Sequence, residues 1–199
     1  MDSQLTPLQR RVFSLLAGLG WALTGGGALG GYHLGHRTTR ELDLLWHGRA
    51  ELERLPAEVE RRLRAAGLVV DVLQTSPAFR RLRVSDGAEA FPLDLVADPV
   101  ATVEAPVEHE AGVFVDTPRE ILANKLTALL SRWAVRDLVD VRALLDAGGD
   151  LPRGLEDAAR KDSGFSPPTL AWVLSTQPVT GLDPELLRFR GWLIDQLAP

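Results

Sequence analysis

Between Thr24 and Trp46 the chain reads TGGGALGGYHLGHRTTRELDLLW, and no other stretch restricts the possible fold as much. It carries six glycines, then basic residues, then Glu41 and Asp43 separated by one leucine. Trp21-Ala22-Leu23-Thr24 is a short apolar run, read as a strand that leads into Gly25-Gly26-Gly27. Backbone without a Cβ is useful where φ must be positive or where another group must approach closely. Ala28 to Leu34 is expected to form a short helix with its N-terminus on those glycines. Its free N–H groups would then face an anion such as a triphosphate.

Glu41-Leu42-Asp43-Leu44-Leu45-Trp46 alternates and then continues apolar, the pattern of a mostly buried strand. On such a strand Glu41 and Asp43 share a face, their α-carbons roughly 6.5–7 Å apart, while Leu42 and Leu44 point to the core. Two carboxylates held this close are costly unless a cation neutralises them. A donor set made only of oxygen suits Mg²⁺ or Mn²⁺. Asp94, between Leu93 and Leu95 in a second apolar stretch, repeats the pattern and offers a third carboxylate for a phosphoryl-transfer site. Arg37 and Arg40, just before the acids, are placed to balance phosphate charge. Singly, a glycine run is usually a turn and an acid-x-acid pair a solvated strand edge. Together on a strand–turn–helix–strand frame they point to a bound nucleoside triphosphate, the divalent metal that accompanies it and phosphoryl-transfer chemistry.

The remaining periodicities fill in the frame. Thr6-Pro7 with Leu8, Val12, Leu15, Leu16 and Leu19 predicts a capped amphipathic helix ending at Gly20. Pro56, Val59, Leu63 and Ala66 predict another, stopped by Gly67. Residues 68–73, 79–84 and 91–96 read as strands, the last two joined at Ser85-Asp86-Gly87. Beyond Asp116-Thr117-Pro118 the spacing becomes helical. One or two helices run through Ile121 to Leu145, and two or three more lie near 155–160, 168–174 and 184–197. The expected organisation is an α/β core over residues 1–116 and a helical region over 117–199 that completes the active-site cleft.

Composition removes several alternatives. The chain has 199 residues, 45% of them hydrophobic and 25% charged, so a globular fold is expected. It has no apolar run long enough to span a bilayer and no secretory leader, which argues against a membrane role. The lack of cysteine excludes disulfides and thiolate metal sites and fits a cytoplasmic protein. Four histidines without an HExxH pairing make a zinc hydrolase a poor reading; a metal role is rejected for His33, His36 and His47, and His33 and His36 are read as packing or hydrogen-bonding residues. A net charge of −5 disfavours broad, non-specific nucleic-acid binding. The clusters Arg61/Arg62/Arg64 and Arg80/Arg81/Arg83 are either solvated surface or a local phosphate patch. Trp133 and Trp192 are read as core.

The motif GG-x-AL followed by LGHRTTRELDLLW resembles the signature of nucleotidyltransferases of the polymerase-β superfold, and within them the AbiEii/AbiGii-type toxin family. Gly25, Gly26, Ala28 and Leu29 match its first part; His36, Arg37, Thr39 and Asp43 match its second. Asp94 stands where the resemblance places the third catalytic acid. Downstream, Lys125, Ala128 and Arg132 match one family element and Arg136, Asp137 and Asp140 the next, and KDSGFSPPTLAWVL is similar to the family's tail, so the likeness spans roughly residues 21–175. It implies an α+β fold, a polymerase-β-like mixed sheet with flanking helices followed by a helical C-terminal half. It also implies catalytic roles for Glu41, Asp43, Asp94 and Lys125, with a divalent metal on the three acids. Nucleotide binding would fall to Gly25, Gly26, Arg37, Thr39, Arg132 and Arg136. If one helix ran through the motif, Lys125, Arg132 and Arg136 would share a face. Implied partners are an NTP, an RNA acceptor such as the 3′ end of a tRNA, and an antitoxin.

The chain departs from this pattern at one position: Glu41 stands where the family has its first metal-binding aspartate. The added methylene displaces the carboxylate by about a C–C bond, which is large for a site needing placement within roughly 0.5 Å. Three readings therefore stand side by side. They are an active toxin-type nucleotidyltransferase, an aminoglycoside- or lincosamide-type enzyme with the same chemistry, and a nucleotide-binding module that has lost catalysis.

Overall fold

The computed structural model describes residues 4–198, which divide into two compact units at Thr117/Pro118. The first unit is built on a seven-stranded mixed sheet in the order β3-β4-β5-β2-β1-β7-β6. Its strands are β1 (Ala22–Thr24), β2 (Leu42–His47), β3 (Val69–Thr75), β4 (Phe79–Ser85), β5 (Ala90–Asp98), β6 (Val107–Glu110) and β7 (Val113–Val115). β2/β5 and β1/β7 pair in parallel, and the other neighbours are antiparallel.

Alternation sets the two faces. Leu42, Leu44 and Trp46 of β2 are fully buried, as are Leu93 and Leu95, their register neighbours on β5. Asp43, Leu45 and His47 take the other face of β2. Helix α1 (Pro7–Leu16) carries a capping box between Thr6 and Gln9 and buries Leu8, Val12, Phe13 and Leu16. It packs on α3 (Leu55–Ala65), which buries Val59 and Leu63 and lies on β3. The indole N–H groups of Trp21 and Trp46 donate to the carbonyls of Leu16 and Leu19, so both large side chains enter the core without an unmet donor.

Two features differ from the sequence reading. The glycine run is itself helical: α2 spans Gly25–Ala28 and passes into a π-helical turn over Leu29–His33, so the turn begins three residues earlier than expected. The second is the hairpin β6/β7, which the periodicity of residues 107–115 does not betray. β6 is exposed throughout, and β7 has only three residues, held by pairing with β1.

The second unit contains α4 (Pro118–Ser131), α5 (Val135–Asp146), α6 (Leu151–Lys161), α7 (Pro167–Thr176) and α8 (Pro184–Leu197). α4 is the central element, packing on α5, α6 and α7, while α7 packs on α8. Asp150, Ser166 and Asp183 cap the last three helices through their side-chain oxygens. The chain between Lys125 and Arg136 is not one helix: Ala134 is extended (φ −138°, ψ 120°) and starts a new one. Trp192 is 43% exposed and stacks on Phe189, contrary to the core reading. Leu186, Leu193 and Leu197 occupy the packed stripe of α8, and Trp192 falls beside it. Among the described residues no helix is long and apolar enough to cross a membrane.

Candidate active site

The site residues of the first unit meet on one row of the sheet. Thr24 of β1 lies opposite Asp43 of β2, Asp43 opposite Asp94 of β5, and Asp94 opposite Arg81 of β4. Residues paired in register present their side chains on the same face, so the backbone alone brings two of the three expected acids together. Glu41 comes just before β2. The Thr39 hydroxyl bonds to the Glu41 carbonyl at 2.9 Å, which uses Thr39 to set the entry of the strand. Asp94 is buried, 4% exposed, while Glu41 and Asp43 are half-buried.

Arg81 joins these acids. Its Nε donates to Asp94 Oδ1 at 2.7 Å and one terminal nitrogen donates to Asp94 Oδ2 at 2.6 Å. The same nitrogen is 3.7 Å from Glu41 Oε2. The hydrogen bonds donated to Asp94, with the added charge of Asp94, Glu41 and Asp43, raise the guanidinium pKa against the opposing effect of burial. Sequence reading placed Arg81 only in a charge cluster. The other members of both clusters are also ion-paired: Arg80 and Arg64 with Glu60, Arg61 and Arg62 with Glu58, Arg83 with Asp71.

The glycines lie against this row. Gly25 has φ +60°, and a Cβ there would stand 3.2 Å from Asp43 Oδ2, so the first helical turn begins directly over the carboxylate. A Cβ at Gly26 would come within 2.7 Å of the Arg37 guanidinium, so Arg37 lies along the glycine surface. Thr24 Oγ1 is buried and finds no hydrogen-bond partner among the described residues. Arg40 is exposed.

A hard divalent cation fits the chemistry of this donor set, which is carboxylates and an unsatisfied hydroxyl with no sulfur. Among the described residues, however, no three His, Asp or Glu side chains stand close enough to hold a metal as they are. The guanidinium of Arg81 separates Asp94 from Glu41.

At the far end of β2, His47 bridges two aspartates. Its Nε2 is 2.9 Å from Asp116 Oδ1, and its Nδ1 is 3.4 Å from Asp98 Oδ2. Burial opposes the charged imidazolium, but the bonds to Asp116 and Asp98 outweigh it and push the pKa up to about 9. His33 pairs with the Asp116 carbonyl at 2.7 Å. The hydrogen bond of His33 is in line with its sequence reading, whereas the two-aspartate bridge of His47 has no counterpart there.

In the helical unit, Lys125 is buried, with its ammonium 2.6 Å from Asp137 Oδ1 and 2.8 Å from Asp140 Oδ2. Both aspartates are fully buried, and Arg132 Nε is 3.3 Å from Asp137 Oδ2. Arg136 is exposed. Because the chain breaks between α4 and α5, the expected Lys125–Arg132–Arg136 stripe is replaced by a lysine embraced by two acids of the following helix. Asp137 and Asp140 had been matched to a motif without a site role. Their burial beside the one lysine of α4 is the signal that was missing from the linear pattern.

The family described as nucleotidyl transferase AbiEii toxin of type IV toxin–antitoxin systems matches residues 10–187. The chain belongs to this family. It is accordingly a nucleotidyltransferase, and its sheet and helices form the polymerase-β-like α+β fold of that group. A protein of H. pylori described as a nucleotidyltransferase is 22% identical, with 96% of this chain and 91% of that one aligned at a TM-score of 0.60. JHP933 from Helicobacter pylori is 21% identical over 96% of this chain and 88% of its own, with a TM-score of 0.58. At such identity these likenesses speak for the fold only. No curated protein sequence matches the chain.

Proposed function

We propose that this nucleotidyltransferase moves an NMP from a bound NTP to an acceptor hydroxyl, with Mg²⁺ or Mn²⁺ held by Glu41, Asp43 and Asp94. The observation that supports the site most strongly is the register pairing of Asp43 with Asp94 directly beneath the Cβ-free backbone of Gly25. A divalent ion, when bound there, supplies neutralising charge for the triphosphate and the departing pyrophosphate.

The chain's own residues supply the rest. Gly25 and Gly26 offer backbone N–H groups to phosphate oxygens at close range. Arg37, already against Gly26, exchanges that contact for phosphate. Thr39 fixes the backbone of Glu41 and thereby aims its carboxylate. Asp94, the most buried of the three acids, takes the proton of the attacking hydroxyl. Asp137 and Asp140 hold the Lys125 ammonium in one rotamer.

For the acceptor we propose RNA, with the 3′ end of a tRNA as the first candidate, and for a partner a cognate antitoxin. Membership of a toxin family of type IV systems supports the antitoxin. The test is incubation of the protein with each labelled NTP, Mn²⁺, and a panel of tRNA, other RNA and aminoglycoside acceptors. Label should move to RNA, and Asp43→Ala should abolish the transfer while leaving the circular dichroism spectrum unchanged. Transfer that persists in Asp43→Ala removes the site assignment; transfer to the aminoglycosides alone replaces the acceptor.

A further inference from the structure

Arg81 is not accounted for by the reaction just described, yet it is the closest partner of the most buried acid in the site. Its planar fork takes both oxygens of Asp94, at 2.7 and 2.6 Å, and reaches toward Glu41 at 3.7 Å. A bidentate guanidinium takes the inward-facing lone pair of each oxygen, the direction from which a metal would be held by both, and leaves only the outer lone pairs. A cation already seated there also repels a second one at a few ångströms. We propose that Arg81 is the resident counter-cation of the acid site, and that the Arg81–Asp94 pair and divalent-metal binding are mutually exclusive states of the same carboxylates. This inference rests on the metal-site reading of Glu41, Asp43 and Asp94.

Burial explains why a resident cation is needed. Asp94 is 4% exposed, and an ionised carboxylate at that depth is strongly unfavourable without a partner. The guanidinium satisfies it while metal is absent. The same guanidinium is able to leave: its side chain is 38% exposed, and its Cζ, 5.9 Å from the ring centroid of Phe79 on the same strand, already has an aromatic face beside it that does not depend on Asp94. Phe79 and Arg81 are two apart on β4 and share a face, so departure from Asp94 needs a rotamer change and no backbone shift. Arg81 therefore sets the metal concentration at which the three acids come free to act together. By linkage, whatever stabilises the Arg81–Asp94 pair weakens metal binding by the same factor.

The experiment is a Mn²⁺ titration of the full chain without nucleotide or acceptor. Free Mn²⁺ is followed by electron paramagnetic resonance and the melting temperature is recorded in parallel. Arg81→Gln should bind Mn²⁺ about ten-fold more tightly than the unsubstituted protein, the scale of a close charge pair. Its melting temperature without metal should fall, and the rise on adding Mn²⁺ should be larger. Arg81→Lys keeps the charge but not the fork, folds with the buried acid still neutralised, and should fall between the two. Equal or weaker binding in both Arg81 variants, with binding lost in Asp43→Ala, overturns the exclusion while leaving the metal site intact. Mn²⁺ binding indifferent to Asp43→Ala in every background overturns the metal site, and the exclusion with it.

Discussion

Single positions decide how well the acid site is built. Glu41 reaches the site from just before β2 and stands farther from Arg81 than Asp94 does, at 3.7 Å against 2.6 Å. An aspartate at the same backbone position withdraws the carboxylate by one methylene, to where the family has its own. Because a misplacement near 1 Å costs about a hundred-fold in rate, Glu41→Asp should raise kcat about ten- to a hundred-fold in the nucleotide-transfer assay. Nucleotide binding without turnover in both forms would instead mark the chain as a binding module. Gly25 is a second such position. A methyl there meets Asp43 Oδ2 at 3.2 Å on a backbone with φ +60°. Gly25→Ala should therefore cost about 1–2 kcal/mol in urea denaturation and abolish transfer, since the carboxylate must move to make room.

At the scale of elements, the α4–α5 pair is joined by a buried charge cluster. Lys125 reaches two aspartates that are fully enclosed, so its removal takes away the buried cation that both share. Lys125→Met should lower the unfolding free energy by about 3–5 kcal/mol, as for a broken buried pair. Adding Asp137→Asn and Asp140→Asn to that variant should recover much of the loss in the same denaturation series. If the triple variant is stable yet transfers no label, the cluster's part in the reaction separates from its part in the fold. Among strands, the β4–β5 hairpin was more legible than its use in the sequence reading suggests. Counting outward from Ser85 opposite Ala90 puts Arg81 opposite Asp94, so their adjacency, though not the ion pair itself, follows from turn position and a period of two. Hairpin β6/β7 was not legible, because three residues and an exposed edge leave no hydrophobic alternation to read.

For the whole molecule, His47 links distant parts of the α/β unit. It sits on β2, contacts Asp98 on β5, and reaches Asp116 just beyond β7. Its pKa is raised in the folded state, from 6.5 to about 9. The charged imidazolium thus contributes its full stability below about pH 6.5, and that contribution is lost as pH rises through about 9. The loss is on the order of 2–3 kcal/mol. Urea denaturation at pH 6 and pH 10 should show the unsubstituted protein less stable at the higher pH, and His47→Gln should narrow the difference. An unchanged difference in His47→Gln would assign the pH dependence to other groups.

Local spacing alone determined much of this protein. The strand before the glycines, the acids at the start of β2, the third acid on β5, the helical second half and the family signature all rest on patterns within a few residues. Such patterns survive in a linear reading because side-chain direction repeats every 2 residues in strands and 3.6 in helices. What Arg81, Arg37 and Lys125 touch was decided only in three dimensions. A long cationic side chain can reach any acid within several ångströms, and its choice depends on which carboxylates the fold has buried. Arg81 took Asp94 because that acid, once enclosed by its neighbours, had to be neutralised. Lys125 took Asp137 and Asp140 because the chain turned at Ala134 and brought them back to it.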